Sequence, residues 1–557
     1  MKHFLSALFI MLGSVTLNAQ VAYEHISNAP IYQFLDELAA LHYVDINSAI
    51  KPYSRIQIAQ WLDEAALSQD AMRPAMKSRL KLFLEEYAVE NNRLPKGHIS
   101  INRPSESTAM HLIPPELVYR DSLLRISLRP IYGIRYISNE NGHFYHSYGG
   151  ASMNAYAGNN WAAWASVRDN YQTLEPLANP LYLTTEPGGN YKIGVQGRKG
   201  AEYSEMRGGI TYGWSWGSFG LLKDHLSWGD NLNGSNIFSG RTPSFPMIKL
   251  QIKPAPWIEF NYFHGWLISQ VVDSSRSYIT SNGDFRAVFR QKYIAANMYT
   301  FTPLKRLQLS VGNSIIYSDV PVQPAYLIPF FFFKSLDHTL NYNVDNQNSA
   351  MFVNISSRQI PHLHLFSTLF IDEFSFSRIG NPRRHNFWSV KAGASLVDWP
   401  LKSLSVAGEF TRTSPLTYKH RVPTTTFTSN NFNLGHYLTD NAQEIFLSAS
   451  WNPWKSLRFN LIYTDAHHGN DYQYVFGATP VDENPILHDI TWSSRMLTFR
   501  AEMLPVNNFR FFAETTFGNV RAYDIDGKSA TFYLNRFGPK YLHGKTTTLS
   551  AGFGIGF

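Results

Sequence analysis

The 557-residue sequence contains no cysteine. That excludes disulfides, thiolate metal sites and a lipid attached through cysteine. Charge is scarce too, at 16% of residues against about 25% in ordinary soluble domains. After the first residues there is no apolar run long enough to span a bilayer as a helix, which takes roughly 20 residues. The longest candidate, "AYLIPFFFF" at 325–333, is interrupted by a proline. No basic cluster or nucleic-acid-binding signature occurs, so no nucleic-acid partner is expected. A GxSxG elbow and an HExxH pair are both missing. Glycine-rich runs such as "GFGIGF" lie in alternating segments, not before the helix a phosphate cradle needs. The expectation is a protein that is not an enzyme and uses no cofactor.

What is abundant is aromatic: 31 Tyr, 38 Phe and 13 Trp, or 15% of the chain. Mean hydropathy is nevertheless −0.23. Apolar and polar residues that alternate along strands give this combination, because lipid-facing and lumen-facing positions average out. The net charge of +7 suits contact with anionic lipid, lipopolysaccharide or glycan.

Residues 1–19, "MKHFLSALFIMLGSVTLNA", read as a secretory signal with Lys2, an apolar core and a small-residue end. Residues 20–100 read as a small periplasmic helical bundle. "IYQFLDELAAL" places Ile31, Phe34, Leu35, Leu38 and Leu41 on one face, and Ser54 with Gln57 is spaced as a capping box. A third helix near 71–90 carries Met76, Leu80, Leu84 and Tyr87, and Trp61 reads as core.

Residues 101–557 read as a transmembrane β-barrel. Leu307, Leu309, Val311, Ile315 and Tyr317 alternate with Arg306, Gln308, Ser310 and Ser314. "RFNLIYT" and "FRFFAETTF" repeat the pattern, and about 18 such segments suit tilted antiparallel strands. Short connections at Pro256-Trp257, Pro303, Pro361, Trp399-Pro400, Pro453-Trp454 and Pro505 alternate with long polar loops near 271–285, 319–345, 415–441, 465–490 and 522–545. Short turns inside and long loops outside are the asymmetry of outer-membrane barrels of Gram-negative bacteria. Trp257, Trp399, Trp451 and Trp454 then form the inner aromatic girdle. Strand parity makes "TTTLSAGFGIGF" the closing strand and brings the aromatic Phe557 to the periplasmic face.

The stretch "YSEMRGGITYGWSWGSFGLLKDHLSWGDNLNGSNIFSGRTPSFPMIKL" at 203–250 resembles the capsule-assembly Wzi family. So do "WIEFNYFHGWLIS" at 257–269, "LFIDEF" at 369–374, "RTSPLTYKHRVPTTTF" at 412–427 and the helical "PIYQFLDELAALHYVD" opening. The resemblance implies an 18-stranded outer-membrane barrel with a periplasmic bundle, whose external loops hold capsular polysaccharide at the cell surface.

Two residue sets are candidate sites. Flat aromatics can cover sugar faces while neighbouring polar groups bond hydroxyls. Tyr418, His420, Arg421, His436 and Tyr437 in one loop, and His467, His468, Tyr472 and Tyr474 in another, offer such sets as polysaccharide contacts. Asp465, His467, His468 and Asp471 in "TDAHHGNDYQY" are the best metal-like group, but adjacent histidines point apart in an extended chain, so no metal is expected. The second set is a lumen charge network: Glu205 with Arg207, Glu409 with Arg412, Arg500 with Glu502 and Arg510 with Glu514, joined by Asp224, Arg241, Asp372 and Glu373. Balanced signs favour a clamped interior over a selective channel. Two alternatives stay open: a structural barrel docking a periplasmic protein through its bundle in a secretion or motility assembly, and a porin.

Overall fold

The computed structural model describes residues 20–101, 107–173, 175–194, 200–340, 346–379, 385–454, 456–474 and 484–556. The expected signal and Phe557 lie outside them. Three helices open the described residues: α1 (Ala29–Ala40), α2 (Arg55–Leu67) and α3 (Pro74–Glu86). Ile31, Phe34, Leu35 and Leu38 of α1 pack with Ile58, Leu62, Met76, Leu80 and Phe83 in one core. Trp61 and Leu84 only border that core. The capping box does not form: Ser54 is the N-cap of α2, but its side chain makes no cap bond. Its extended backbone bridges Tyr23 instead.

An 18-strand antiparallel barrel follows. Its strands are β1 (Leu124–Asn139), β2 (Gly142–Ala157), β3 (Trp161–Gln172), β4 (Ala201–Trp214), β5 (Gly217–Asp224) and β6 (Phe245–Ala255). Next come β7 (Ile258–Leu267), β8 (Lys292–Leu304), β9 (Leu307–Ser318), β10 (Gln347–Ser357), β11 (Leu363–Glu373) and β12 (Phe387–Val397). The last are β13 (Leu404–Thr413), β14 (Ala442–Trp454), β15 (Leu457–Gly469), β16 (Ile490–Val506), β17 (Phe509–Ala522) and β18 (Gly544–Ile555). Each pairs with its chain neighbour, and β18 closes on β1 through Phe553 opposite Ile134 and Ile555 opposite Tyr132. The first residues of β1 pair instead with the short strand Pro115–Arg120, so that edge is covered as well.

Alternation sets the faces. Leu309, Val311, Leu447, Phe499 and Phe517 are exposed to the outside, whereas Ser310, Thr498 and Thr516 point inward, Ser310 to Thr300 and the two threonines to each other. Four of the short connections share one device. β6, β8, β14 and β16 each carry one extra residue just before the turn, beside Pro254, Pro303, Pro453 and Pro505. Proline has no N–H for the ladder, so a bulge is where a strand tolerates it. Trp161, Trp216, Trp257, Trp399, Trp451 and Trp454 are exposed around this end, where the interfacial girdle belongs.

The helical bundle closes the same end. Arg358, between β10 and β11, reaches Asp36 at 3.1 Å and Ser48 Oγ at 2.9 Å, while His42 Nε2 meets the Arg358 carbonyl at 2.7 Å. Arg306 pairs with Asp45 at 2.8 Å, and Arg73 with Asp398. Residues 20–25 go deeper, along the inner wall of β4: Thr211 donates to the Val21 carbonyl and Arg207 to that of Tyr23, each at 2.5 Å. The bundle is therefore a plug seated in the mouth at the short-turn end of the barrel.

Candidate functional site

Two long external connections turn inward and fill the lumen. Residues 225–244 cross it from β5. Trp228 pairs with Ile50 of the plug and packs on Phe238 and Phe263 at 5.4 and 5.2 Å between ring centroids. Asn354 donates to Asp230 at 2.9 Å, the Leu232 N–H donates to Glu409 at 2.6 Å, and Asn236 donates to the Ser389 carbonyl at 2.9 Å. These partners reach strands on the far wall, from β10 to β13. Residues 414–441 meet the crossing from the other side: the Tyr418 hydroxyl donates to the Asn236 carbonyl at 2.6 Å, and its ring packs among Phe370 and Phe427.

Charged side chains clamp this filling. Glu205 takes Arg168, His25 and His225, so its partner is not Arg207. Arg207 pairs with Asp224 at 3.2 Å. Glu409 is bound by Lys391, both fully buried, not by Arg412. Arg412 is three positions from Glu409, and an odd spacing puts it on the opposite face. Arg500 bonds both Glu502 and Glu514, at 3.0 and 3.2 Å. Glu514 also meets Arg135 at 3.6 Å, and Arg510 has no part in these pairs. Arg241 donates to the Asn179 and Tyr182 carbonyls, and Glu373 takes Arg378 at 2.6 Å. Asp372, one residue before Glu373, sits where the register of β11 with β12 is irregular.

At the plug, Arg55 bonds Glu24 and Glu90, which in turn accept Tyr87 and Tyr156 hydroxyls at 2.7 and 2.9 Å. Burial works against ionising Glu24 and Glu90, but Arg55 together with Tyr87 and Arg207 at Glu24, and with Arg129 at Glu90, outweighs it, so both carboxyls stay below their usual range. Among the described residues no cation bonds the Glu86 carboxyl; burial, only partly offset by Arg129 and Arg55, pushes it up to about 7.

At the external rim the loops are tied together by one ion network. Lys419 bonds Asp471 at 2.6 Å and lies 3.4 Å from Asp440, and Arg536 bonds the other Asp471 oxygen at 2.6 Å. Burial raises the Asp471 carboxyl, but Lys419 and Arg536 more than compensate and hold it below its usual range. Asn441 donates to the Asn470 carbonyl at 2.9 Å, and the Leu487 N–H donates to Asn441 at 2.8 Å. Tyr472 and Tyr474 lean on Phe387 and Leu416 beside this network.

The expected sugar contacts divide. Tyr418, His436, Tyr437 and His468 are buried and serve the lumen filling. Tyr437 donates to Glu444 at 2.6 Å and His436 lies 3.2 Å from the same carboxylate. Burial lowers the His436 imidazole despite Glu444. Residues 464–469 continue β15 instead of starting a loop. His467 and Asp465 therefore share the outer face at 2.9 Å, whereas His468 turns inward onto Phe537. The four metal-like residues do not converge. His420 is half-buried against Thr425, Arg421 is exposed, and Tyr472 and Tyr474 are half-buried at the rim. These four, with His467, remain reachable from outside.

One convergence escaped the sequence. His25 and His225 both direct Nε2 to Glu205 Oε1, at 3.0 and 2.8 Å. The Ser27 N–H donates to His25 Nδ1 at 3.1 Å, which makes Nε2 the protonated nitrogen and leaves it no lone pair for a metal. The cluster is a clamp between plug and wall. Its members are 180 and 20 residues from Glu205, a separation no local motif reveals.

A closed antiparallel barrel, plugged at its short-turn end and girdled there by tryptophan, defines an outer-membrane β-barrel protein. The chain belongs to the family described as capsule assembly protein Wzi, which matches residues 132–527, and it resides in the outer membrane. The solved structure of Escherichia coli Wzi, described as a carbohydrate-binding barrel involved in group 1 capsule assembly, is similar over 96% of this chain and 99% of that one. Identity is 11% and the TM-score 0.53. Pseudomonas aeruginosa OccD3 is similar over 77% of this chain and 91% of its own, with 8% identity and a TM-score of 0.40. OprD of the same organism gives 9% identity and a TM-score of 0.40, covering 77% and 92%. Among curated protein sequences nothing matches.

Proposed function

We propose that this barrel binds surface polysaccharide through its external rim and supports attachment of capsule or exopolysaccharide, without chemistry of its own. The observation that carries the reading is the fate of the loops. Residues 225–244 and 414–441 fill the lumen and brace the rim, which leaves Arg421, Tyr472 and Tyr474 accessible on a fixed platform. A preorganised aromatic surface beside ionised Asp471 and Arg421 suits a chain of hydroxylated, charged sugars, because little ordering is lost on binding. The family's placement beside a carbohydrate-binding relative supports the same direction. The filled interior argues against transport as the main task.

The test is made on cells. Deleting the gene should shift surface polysaccharide from the cell-bound to the released fraction, and the wild-type gene should restore retention. A Tyr472→Ala/Tyr474→Ala version that reaches the membrane yet fails to restore it supports the proposed rim. Unchanged retention in the deletion strain would reject the reading.

A further inference from the structure

The apolar run that is too short to span the membrane as a helix has a place of its own. The described part of the external connection from β9 to β10, up to residue 340, does not project outward. Pro324–Leu327 forms a 3₁₀ turn, residues 328–332 continue as an irregular turn and bend, and a short helix, α4 (Phe333–Leu340), packs back against β9 and β10. Tyr326 and Phe333 cover Phe260, Tyr262, Tyr293, Ile315 and Tyr317. Ile315 and Tyr317 share the face of β9 that carries exposed Leu309 and Val311, so this strap lies on the outside of the wall. Its lowest point is deep: the Phe330 ring is 4.8 Å from Phe260, which stands only two residues above the first residue of β7.

Two asparagines on this outward face mark the strap as built in. Asn297 donates to the carbonyls of Pro329 and Phe331 at 2.8 and 2.9 Å, and Asn313 accepts the Phe333 N–H at 2.9 Å. The Phe330 carbonyl takes the Tyr299 hydroxyl at 3.1 Å, and that of Tyr326 takes the Tyr262 hydroxyl at 2.8 Å. Irregular backbone in hydrocarbon is tolerated only where its polar groups are answered by protein, and here the wall answers four carbonyls in six residues. The opposite side of the strap is all apolar: Phe330, Phe331 and Phe332 are 54, 43 and 46% exposed, beside exposed Leu327 and Ile328. No charge occurs in 325–333.

We propose that this external connection re-enters the membrane and that residues 327–332 are covered by lipid acyl chains, continuous with the lipid-facing wall at Leu309 and Val311. A surface satisfied inward and apolar outward, at the height of the barrel's own lipid belt, fits hydrocarbon and not water. The strap also reaches the rim, since Ser318 at its root bonds Thr424 at 2.7 Å, so the membrane holds one of the loops that brace the outer surface.

The cysteine-free chain makes the test direct. Phe331→Cys and, separately, Phe332→Cys carry a nitroxide label, with Val311→Cys as lipid reference and Ser275→Cys as aqueous reference. The protein is reconstituted in phosphatidylcholine–phosphatidylglycerol vesicles, and collisions with oxygen and with a water-soluble nickel chelate are measured. High oxygen and low nickel accessibility at 331 and 332, matching position 311, is the expected result. Nickel accessibility like that at 275 would place the strap in water and overturn the proposal. Low accessibility to both would mean a protein partner or second copy covers it, which equally overturns it.

Discussion

Lys391 and Glu409 face each other in the lumen with almost no solvent, and Glu409 also receives the Leu232 N–H. Removing one member of a buried pair leaves the other charge unpaired and costs about 3–5 kcal/mol. Lys391→Met should therefore destabilise the folded barrel by that order, read as a lower urea midpoint, and an unchanged midpoint would show the pair to be idle. Gly552 is a steric case: a Cβ there would sit 2.4 Å from the Ile134 carbonyl and 2.9 Å from the Phe512 ring. Gly552→Val should disturb the β18–β1 closure, with an overpacking cost of about 1–3 kcal/mol, read as loss of the heat-resistant compact band on gels. The small residues of the closing strand are legible in the sequence as a period of two. Their reason is not, because Ile134 and Phe512 belong to neighbouring strands far away in the chain.

Among the elements, the plug carries the pH dependence. Glu86 is buried beside Arg129, Arg55, Glu24 and Glu90, and its carboxyl is raised to about 7 from an ordinary 4.5, chiefly by burial. The folded state then holds a proton that the unfolded chain releases. This contribution to stability is complete below about 4.5 and is lost as pH rises through about 7. His25, lowered by burial to about 4 from 6.5, acts oppositely: it favours docking above 6.5 and weakens it as pH falls towards 4. Protease resistance of residues 20–90 should pass through a maximum between these limits, and Glu86→Gln should flatten its alkaline side. A profile indifferent to that substitution would contradict the assignment. The strands and helices were readable because each repeats its own period, and the proline-marked turns because proline leaves few other places to sit. The inward fold of 225–244 and 414–441 was not. Their polar, glycine- and asparagine-rich residues look like solvated loops, and only contacts such as Asn236 to Ser389, 153 positions apart, turn them into filling. The same blindness put Tyr418, His436 and Tyr437 among surface contacts when they are core.

For the whole molecule, the plug and the two inward loops are expected to close the barrel to ions. Planar bilayers containing it should show no steady ion conductance, while deletion of residues 227–241 should introduce it; an open channel in the intact protein would revive the porin reading. The central claim concerns the outer rim, and binding tests it most directly. Purified protein in detergent micelles is titrated with the host's own surface polysaccharide, alongside Tyr472→Ala/Tyr474→Ala. Aromatic anchors at the centre of a binding surface carry upwards of about 1 kcal/mol each, so the account predicts saturable binding that falls roughly tenfold or more in the double variant. No saturable binding by the intact protein would contradict it.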